Sequence, residues 1–192
     1  MLSINDLAPK MILLIDGHPY QLLEVKRLHM GRGGSSVQTR IRNLTTGQVF
    51  SRNFKPADSF AEADIEKREL IYLYHHRGEY VLAEKDHPQQ RYTLNAEQLG
   101  DASPWLKPAT PVTAIFVDGA LASVTPPIKV ELKVTEAPPG LRGDTVSGAT
   151  KEVTLETGTK IQVPLFVNEG DVVRVNTETG EYAERVNKAP EG

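Results

Sequence analysis

The chain has 192 residues, 39% hydrophobic and 24% charged, with no cysteine and a formal net charge of −3. This is an ordinary globular composition; it excludes disulfide scaffolds, thiol nucleophiles and cysteine-held zinc, and no apolar run reaches the ~18 residues of a membrane span. The N-terminus carries Asp6 and Pro9 where a signal peptide needs a basic start and a longer apolar core, so a cytoplasmic location is expected.

The first strands are legible as MILLI–DG–HPYQLLEV. Asp16-Gly17 favours the positive φ angles of a two-residue hairpin turn. The next strand runs into LHMGRGGSS, which sets Arg32 among Gly31, Gly33 and Gly34, followed by Ser35. Read alone, the glycines supply positive φ and Arg32 is a solvated turn residue. Three glycines exceed the need of one turn, however, and they strip bulk from both flanks. Such a tip fits a narrow RNA-lined cleft or the grip of a modifying enzyme.

After the tip, Val37, Thr39 and Ile41 should share one face, and Gln38, Arg40 and Arg42 the other, because side chains alternate across a strand. The run from Lys26 to Lys55 holds Lys26, Arg27, Arg32, Arg40, Arg42, Arg52 and Lys55 without one acid. It reads either as a solvated basic face or as an electrostatic footprint for a polyanion. The charge is unevenly spread. Residues 1–63 carry eight basic against five acidic side chains, residues 64–128 six against nine, and residues 129–192 eight against eleven.

Further along, NLTTGQVF predicts another hairpin, closed at Thr46-Gly47. AEADIEKRELIYLY is ambiguous: its first half could be helical, while alternation favours strand in its second half. His75-His76 precede Arg77-Gly78 and read as surface residues of a turn. LNAEQLGDA predicts a short helix over 94–102, with a cap at Asn95 and a stop at Gly100. AIFV–DG–ALASV repeats the Asp-Gly hairpin at Asp118-Gly119, and Pro126-Pro127 interrupt pairing. TLETGTKIQV and VNTETGEYAERV supply two more Thr-Gly hairpins. Short strands at this spacing indicate barrels or sandwiches. The punctuation divides the chain into 1–63, 64–127 and 128–192, three small barrels that need packing against neighbours to be stable. No HExxH, GxSxG or phosphate-loop motif occurs, and the carboxylates are scattered, so no enzyme, metal or cofactor is expected.

The stretch from Lys151 to Gly170 is the most specific. It places Lys151, Gly158, Ile161, Val163, Pro164, Val167 and Gly170 at the spacing of the elongation factor P signature, with Val153 where alanine is usual. With SVTPP, PGLRGDT and TGEYAERV in order, the chain resembles bacterial elongation factor P along essentially its whole length. That resemblance implies an all-β fold of three consecutive barrels: an SH3-like (KOW-like) domain, then two OB-fold domains, in an L-shaped, tRNA-like outline. It implies a monomeric translation factor that binds rRNA of both ribosomal subunits beside the peptidyl-tRNA and relieves stalling at consecutive prolines. Arg32 stands where the family bears its modified tip residue. In the arginine-tip branch that residue receives rhamnose from a dedicated rhamnosyltransferase. Gly143, Asp144 and Thr145 match the loop that meets mRNA at the exit-site codon, and Tyr182 and Arg185 match positions near the small subunit. Alternatives are an elongation-factor-P-like paralogue and a generic RNA-binding barrel protein without stall-relief activity.

Overall fold

The structure is a computed structural model and describes residues 1–30, 34–139 and 148–188. Among these residues the fold is almost entirely β, built of three five-stranded antiparallel sheets that curl into barrels. The first holds β1 (Ile12–Ile15), β2 (His18–Met30), β3 (Gly34–Asn43), β4 (Val49–Phe54) and β5 (Ala61–Glu62), in the order β4-β3-β2-β1-β5. The second holds β6 (Ile65–His76), β7 (Glu79–Glu84), β8 (Arg91–Asn95), β9 (Pro111–Val117) and β10 (Ala120–Thr125), in the order β10-β9-β6-β7-β8. The third holds β11 (Lys129–Glu136), β12 (Thr150–Leu155), β13 (Lys160–Pro164), β14 (Val172–Asn176) and β15 (Tyr182–Asn187), in the order β13-β12-β11-β14-β15. The architecture is an SH3-like barrel followed by two of OB type.

The turns follow from residue chemistry. Asp16 (φ 53) and Gly17 (φ 79) join β1 to β2, and Asp118 (φ 50) and Gly119 (φ 79) join β9 to β10. Two successive positive φ angles give the turn whose twist matches paired strands. Arg77 (φ 51) and Gly78 (φ 83) do the same between β6 and β7, and His75 stacks on Tyr80 at the strand ends. The three Thr-Gly hairpins also form.

Two expectations need revision. The ambiguous stretch is strand from Ile65 onward, because β6 finds a distant partner: Ile65 to Ile71 pair residue for residue with Val117 to Pro111. Cross-strand bonding overrides a weak local preference. The predicted helix is α1 (Ala96–Leu99), a single turn that continues as a 3-10 helix from Gly100 to Trp105. Its cap is as expected: the Asn95 side chain accepts from the Gln98 N–H, and the Gln98 side chain accepts from the Asn95 N–H.

Each barrel has its own apolar core. Leu13, Leu22, Ile41 and Phe54 lie in the first, Leu70, Leu82, Leu94 and Phe116 in the second, and Leu132, Val163, Val167 and Val173 in the third. A fourth cluster joins two barrels, bringing Ile12, Leu14, Leu44 and Ala63 against Ile115, Val117 and Ala122. Trp105 belongs to the third core although its chain position follows the second barrel's helix. No helix among the described residues is long and apolar enough to cross a membrane.

Candidate RNA-facing surface

β2 and β3 form the longest hairpin of the first barrel, pairing from Tyr20 with Asn43 to Met30 with Gly34. Strands of 13 and 10 residues far exceed the usual five or six. They project a ribbon beyond the barrel that holds its base. Gly34 opens β3 and Ser35 pairs with His29; Gly31, Arg32 and Gly33 lie outside the described residues, as do Gly143, Asp144 and Thr145.

The pleat sorts the cations. Val37, Thr39 and Ile41 face the core, each at most 2% exposed, and Thr39 Oγ1 donates to the Arg52 carbonyl at 2.8 Å. Gln38 and Arg40 face outward as expected. A register shift between Leu22 and Glu24 sets Glu24 opposite Arg40, Lys26 opposite Gln38, and Arg27 opposite the buried Val37. A bulge changes which residues of one strand share a face. Lys26 therefore joins Arg40 on one face, while Arg27, still exposed, falls on the face of Val37 and donates to the carbonyls of Asn5 and Leu7, both at 3.1 Å.

Glu24, just ahead of the acid-free run, lies between the two outward cations, 3.4 Å from Arg40 and 3.8 Å from Lys26. Arg52 sits opposite Thr39, with its guanidinium 5.6 Å from the centre of the Phe54 ring. Lys55 is exposed in the turn after β4, where its N–H donates to the Asp58 carboxylate. Arg42 shares the outward face with Arg40 but, at the hairpin base, is not open to solvent as Arg40 is. Its side chain is only 13% exposed, covered by Gly100 and 3.9 Å from Asp101. Among the described residues, the basic run is thus not one continuous face.

In the third barrel, Tyr182 packs against the core. Arg185 donates to the Phe166 carbonyl at 3.2 Å, pairs with the buried Asp171 at 3.4 Å, and lies 4.9 Å over the Phe166 ring. Its geometry is that of a fastener. Phe166 itself is 54% exposed, a large aromatic surface that sequence reading did not single out; its place inside VPLFV, three residues after the core Val163 and next to the core Val167, gave no signal of exposure. The titratable network in the second barrel is likewise structural. Arg68 forks onto Glu66 at 2.7 and 2.8 Å, and lies 4.5 Å over the Phe116 ring. The Arg68 hydrogen bonds lower the Glu66 pKa, whereas donation of the Tyr92 hydroxyl to Glu84 raises that of Tyr92. Among the described residues, no group of three His, Asp or Glu side chains is placed to hold a metal ion.

Two family models match the chain. One, described as the elongation factor P KOW-like domain, covers residues 3–60, and the other, elongation factor P, C-terminal, covers residues 130–185. The elongation factor P of Dictyoglomus thermophilum is 42% identical over 185 residues, spanning 96% of this chain and all of the relative. That of a Thermoanaerobacter strain is 40% identical over 186 residues, spanning 97% and 100%. The chain belongs to the elongation factor P family. It is a translation factor. A solved structure titled eukaryotic translation initiation factor 5A from Methanococcus jannaschii aligns at 16% identity over 65% of this chain and 91% of its own, with a TM-score of 0.46.

The elongation factor P signature has a physical basis here. Val153, Ile161, Val163 and Val167 fill the third core, and Gly158 (φ 82) and Gly170 (φ 87) take backbone conformations that side chains disfavour. Lys151 is 8% exposed and donates to the Pro138 carbonyl at 3.0 Å. Its ammonium ties β12 to the end of the chain segment after β11. The signature encodes a barrel.

Proposed function

We propose that this chain binds the ribosome beside the peptidyl-tRNA and stimulates peptide-bond formation, relieving stalls at consecutive prolines. Membership of the elongation factor P family over nearly the whole chain carries this reading. The projecting β2–β3 hairpin supports it, since a ribbon with a Gly-Arg-Gly-Gly connection can enter a cleft closed to the barrel itself. Of the three domains, 1–63, 64–127 and 128–192, the first would reach toward the peptidyl-tRNA and the third, through Gly143, Asp144 and Thr145, toward mRNA at the exit-site codon. Lys26, Arg40, Arg52 and Lys55 would meet rRNA or tRNA phosphate.

The factor supplies no reacting group. An arginine stays protonated, so Arg32 is no general base. Proline's ring fixes φ and restrains the nascent chain; holding the end of the peptidyl-tRNA restores alignment, which is an orientation effect. Arg32 is the candidate for extension by rhamnose, with a rhamnosyltransferase as the modifying partner.

The test is the rate of peptide-bond formation through consecutive prolines in a reconstituted translation system. Natively purified protein should accelerate it, and the Arg32→Ala form should not. Failure of native protein with a mass-verified tip to accelerate the reaction would refute the reading and leave an RNA-binding barrel protein.

A further inference from the structure

The base of the tip hairpin does not rest freely on the second barrel. It is seated at two points, both at α1 and both requiring glycine. At the first, Gly47 touches the helix backbone so closely that a Cβ there would lie 2.4 Å from the Glu97 carbonyl carbon and 2.6 Å from the Gln98 nitrogen. The Gln98 side chain donates to the Thr45 carbonyl at 3.1 Å and closes this contact. At the second, the Arg42 guanidinium lies under Gly100, where a Cβ would come within 2.4 Å of its terminal nitrogen. Arg42 Nε is buried without a hydrogen-bond partner. A guanidinium kept half-satisfied in such a place is weak as a source of stability, because desolvation offsets what its single long contact with Asp101 returns. Its shape and rigidity remain. A planar group fills a slot that only a glycine leaves open.

The apolar cluster between the two barrels is non-directional. It holds the bodies together but resists rocking poorly. Two rigid contacts, spaced along one helical turn, define a direction. Arg42 is also eight residues from Gly34 on one continuous strand, so β3 acts as a lever of about 26 Å at ~3.3 Å per residue. Rocking by about 10° at its base would move its far end by roughly 5 Å on that rise per residue.

We infer that Arg42 is a positioning residue: clamped under Gly100, with Gly47 as the second support, it sets the direction in which the β2–β3 hairpin projects. The inference rests on the stall-relief reading for its functional consequence, though not for its structural one. It assigns Arg42 to the joint and not to nucleic acid.

The test uses the full chain. The protein has no cysteine, so Ser36→Cys and Glu79→Cys introduce two spin-label sites, one on the hairpin and one on the second barrel. The parent protein should give a narrow distance distribution. Arg42→Met keeps the stem and removes the planar group; Gly47→Ala wedges the other support and serves if the first variant folds poorly. Each should broaden or shift the distribution by about 3 Å or more, a fraction of the lever displacement above. In unlabelled protein, each should lower the maximal rate through consecutive prolines by at least about tenfold while leaving the half-saturating concentration unchanged, as misorientation does. Arg42→Lys should not restore the rate, since a point charge does not fill a planar slot. Unchanged distances in both variants would overturn the inference. An altered distribution with an unchanged maximal rate would also overturn it, as would a raised half-saturating concentration alone, which would make Arg42 a contact residue. If the parent protein gives no acceleration, the stall-relief reading fails by itself and the distances alone decide whether the seat orients the hairpin.

Discussion

Replacing Trp105 by alanine should loosen a barrel to which Trp105 does not belong by strand order. Trp105 ends the 3-10 helix that follows the second barrel's α1, yet it is 7% exposed within the cluster of Val130, Leu132, Val134 and the other third-barrel core residues. Its ring lies 3.7–3.8 Å from where a Cβ on Gly180 would stand, and the nearby Thr159 hydroxyl donates to the Pro104 carbonyl at 3.0 Å. An aromatic side chain of this kind buries about 150–250 Å², which at about 25 cal/mol per Å² gives roughly 4–6 kcal/mol. Large aromatic-to-alanine changes in cores cost about 3–5 kcal/mol, so about 4 kcal/mol is expected. Because the missing volume is in the third core, the loss should be local. Hydrogen exchange followed by mass spectrometry is the assay. Peptides from β11 to β15 should lose protection equivalent to a several-hundred-fold faster opening, about 4 kcal/mol at 1.4 kcal/mol per tenfold, while β1 to β4 keep theirs. Trp105→Phe should recover much of the loss. Unchanged protection in the third barrel, or loss confined to the second, would refute the view that Trp105 completes the third core.

Three further outcomes follow from the same geometry. Lys151→Met keeps the buried stem but removes the donor to the Pro138 carbonyl, which is exposed enough for water to replace it; chemical denaturation should show a loss of about 0.5–1.5 kcal/mol, the net worth of one hydrogen bond. Arg185→Ala should lower the melting temperature measured without any nucleic acid, because it removes the cation beside the buried Asp171. Breaking a buried pair costs about 3–5 kcal/mol, and partial exposure of Arg185 reduces this to about 1–2 kcal/mol by solvent screening. An unchanged melting temperature would return Arg185 to the list of available RNA contacts. For Tyr92, hydrogen bonding to Glu84 raises the phenol above its ordinary value of 10.0. The raised value favours the neutral form in the folded state, so its stabilisation is fully present below 10.0 and is lost as pH rises through the folded value. Tyr92→Phe should flatten that alkaline limb of the stability profile; ultraviolet titration of the parent protein should show Tyr92 and the buried Tyr72 ionising late, and the variant should lose one of the two.

Much of this fold is local and therefore legible in the sequence. Asp16-Gly17 and Asp118-Gly119 announce their turns because few residues accept two successive positive φ angles. Asn95 and Gln98 announce a helix start because each side chain meets the other's backbone nitrogen. What could not be read was set by distant partners. Residues 65–71 become strand because β9, over forty residues later, offers the matching edge. Arg27 falls on the face of Val37 because a one-residue bulge near Leu22 exchanges the faces of β2, and composition carries no trace of a bulge. The role of Trp105 in a neighbouring core depends on how two barrels meet. Candidate site residues were hardest to judge for the same reason: Arg42 reads like Arg40 along the strand and differs only in what covers it.

That difference decides which cations are available to a polyanion. Lys26 and Arg40 are more than half exposed and share Glu24 at 3.4–3.8 Å. Exposed pairs of this kind are worth about 0–1 kcal/mol, so a phosphate can displace the glutamate at little cost. Arg27 would have to abandon two backbone carbonyls, and Arg42 would have to leave a slot between two barrels. The second exchange would open the joint between the barrels, and the first would cost two hydrogen bonds to the N-terminal segment. The basic run of the first barrel therefore divides by the strength of its internal attachments: Lys26, Arg40 and the exposed Lys55 can answer to an external charge, while Arg27 and Arg42 hold the hairpin in place so that such an answer has a direction. Net charge says little here, because cations counted together serve opposite ends, and only their hydrogen-bond partners tell them apart.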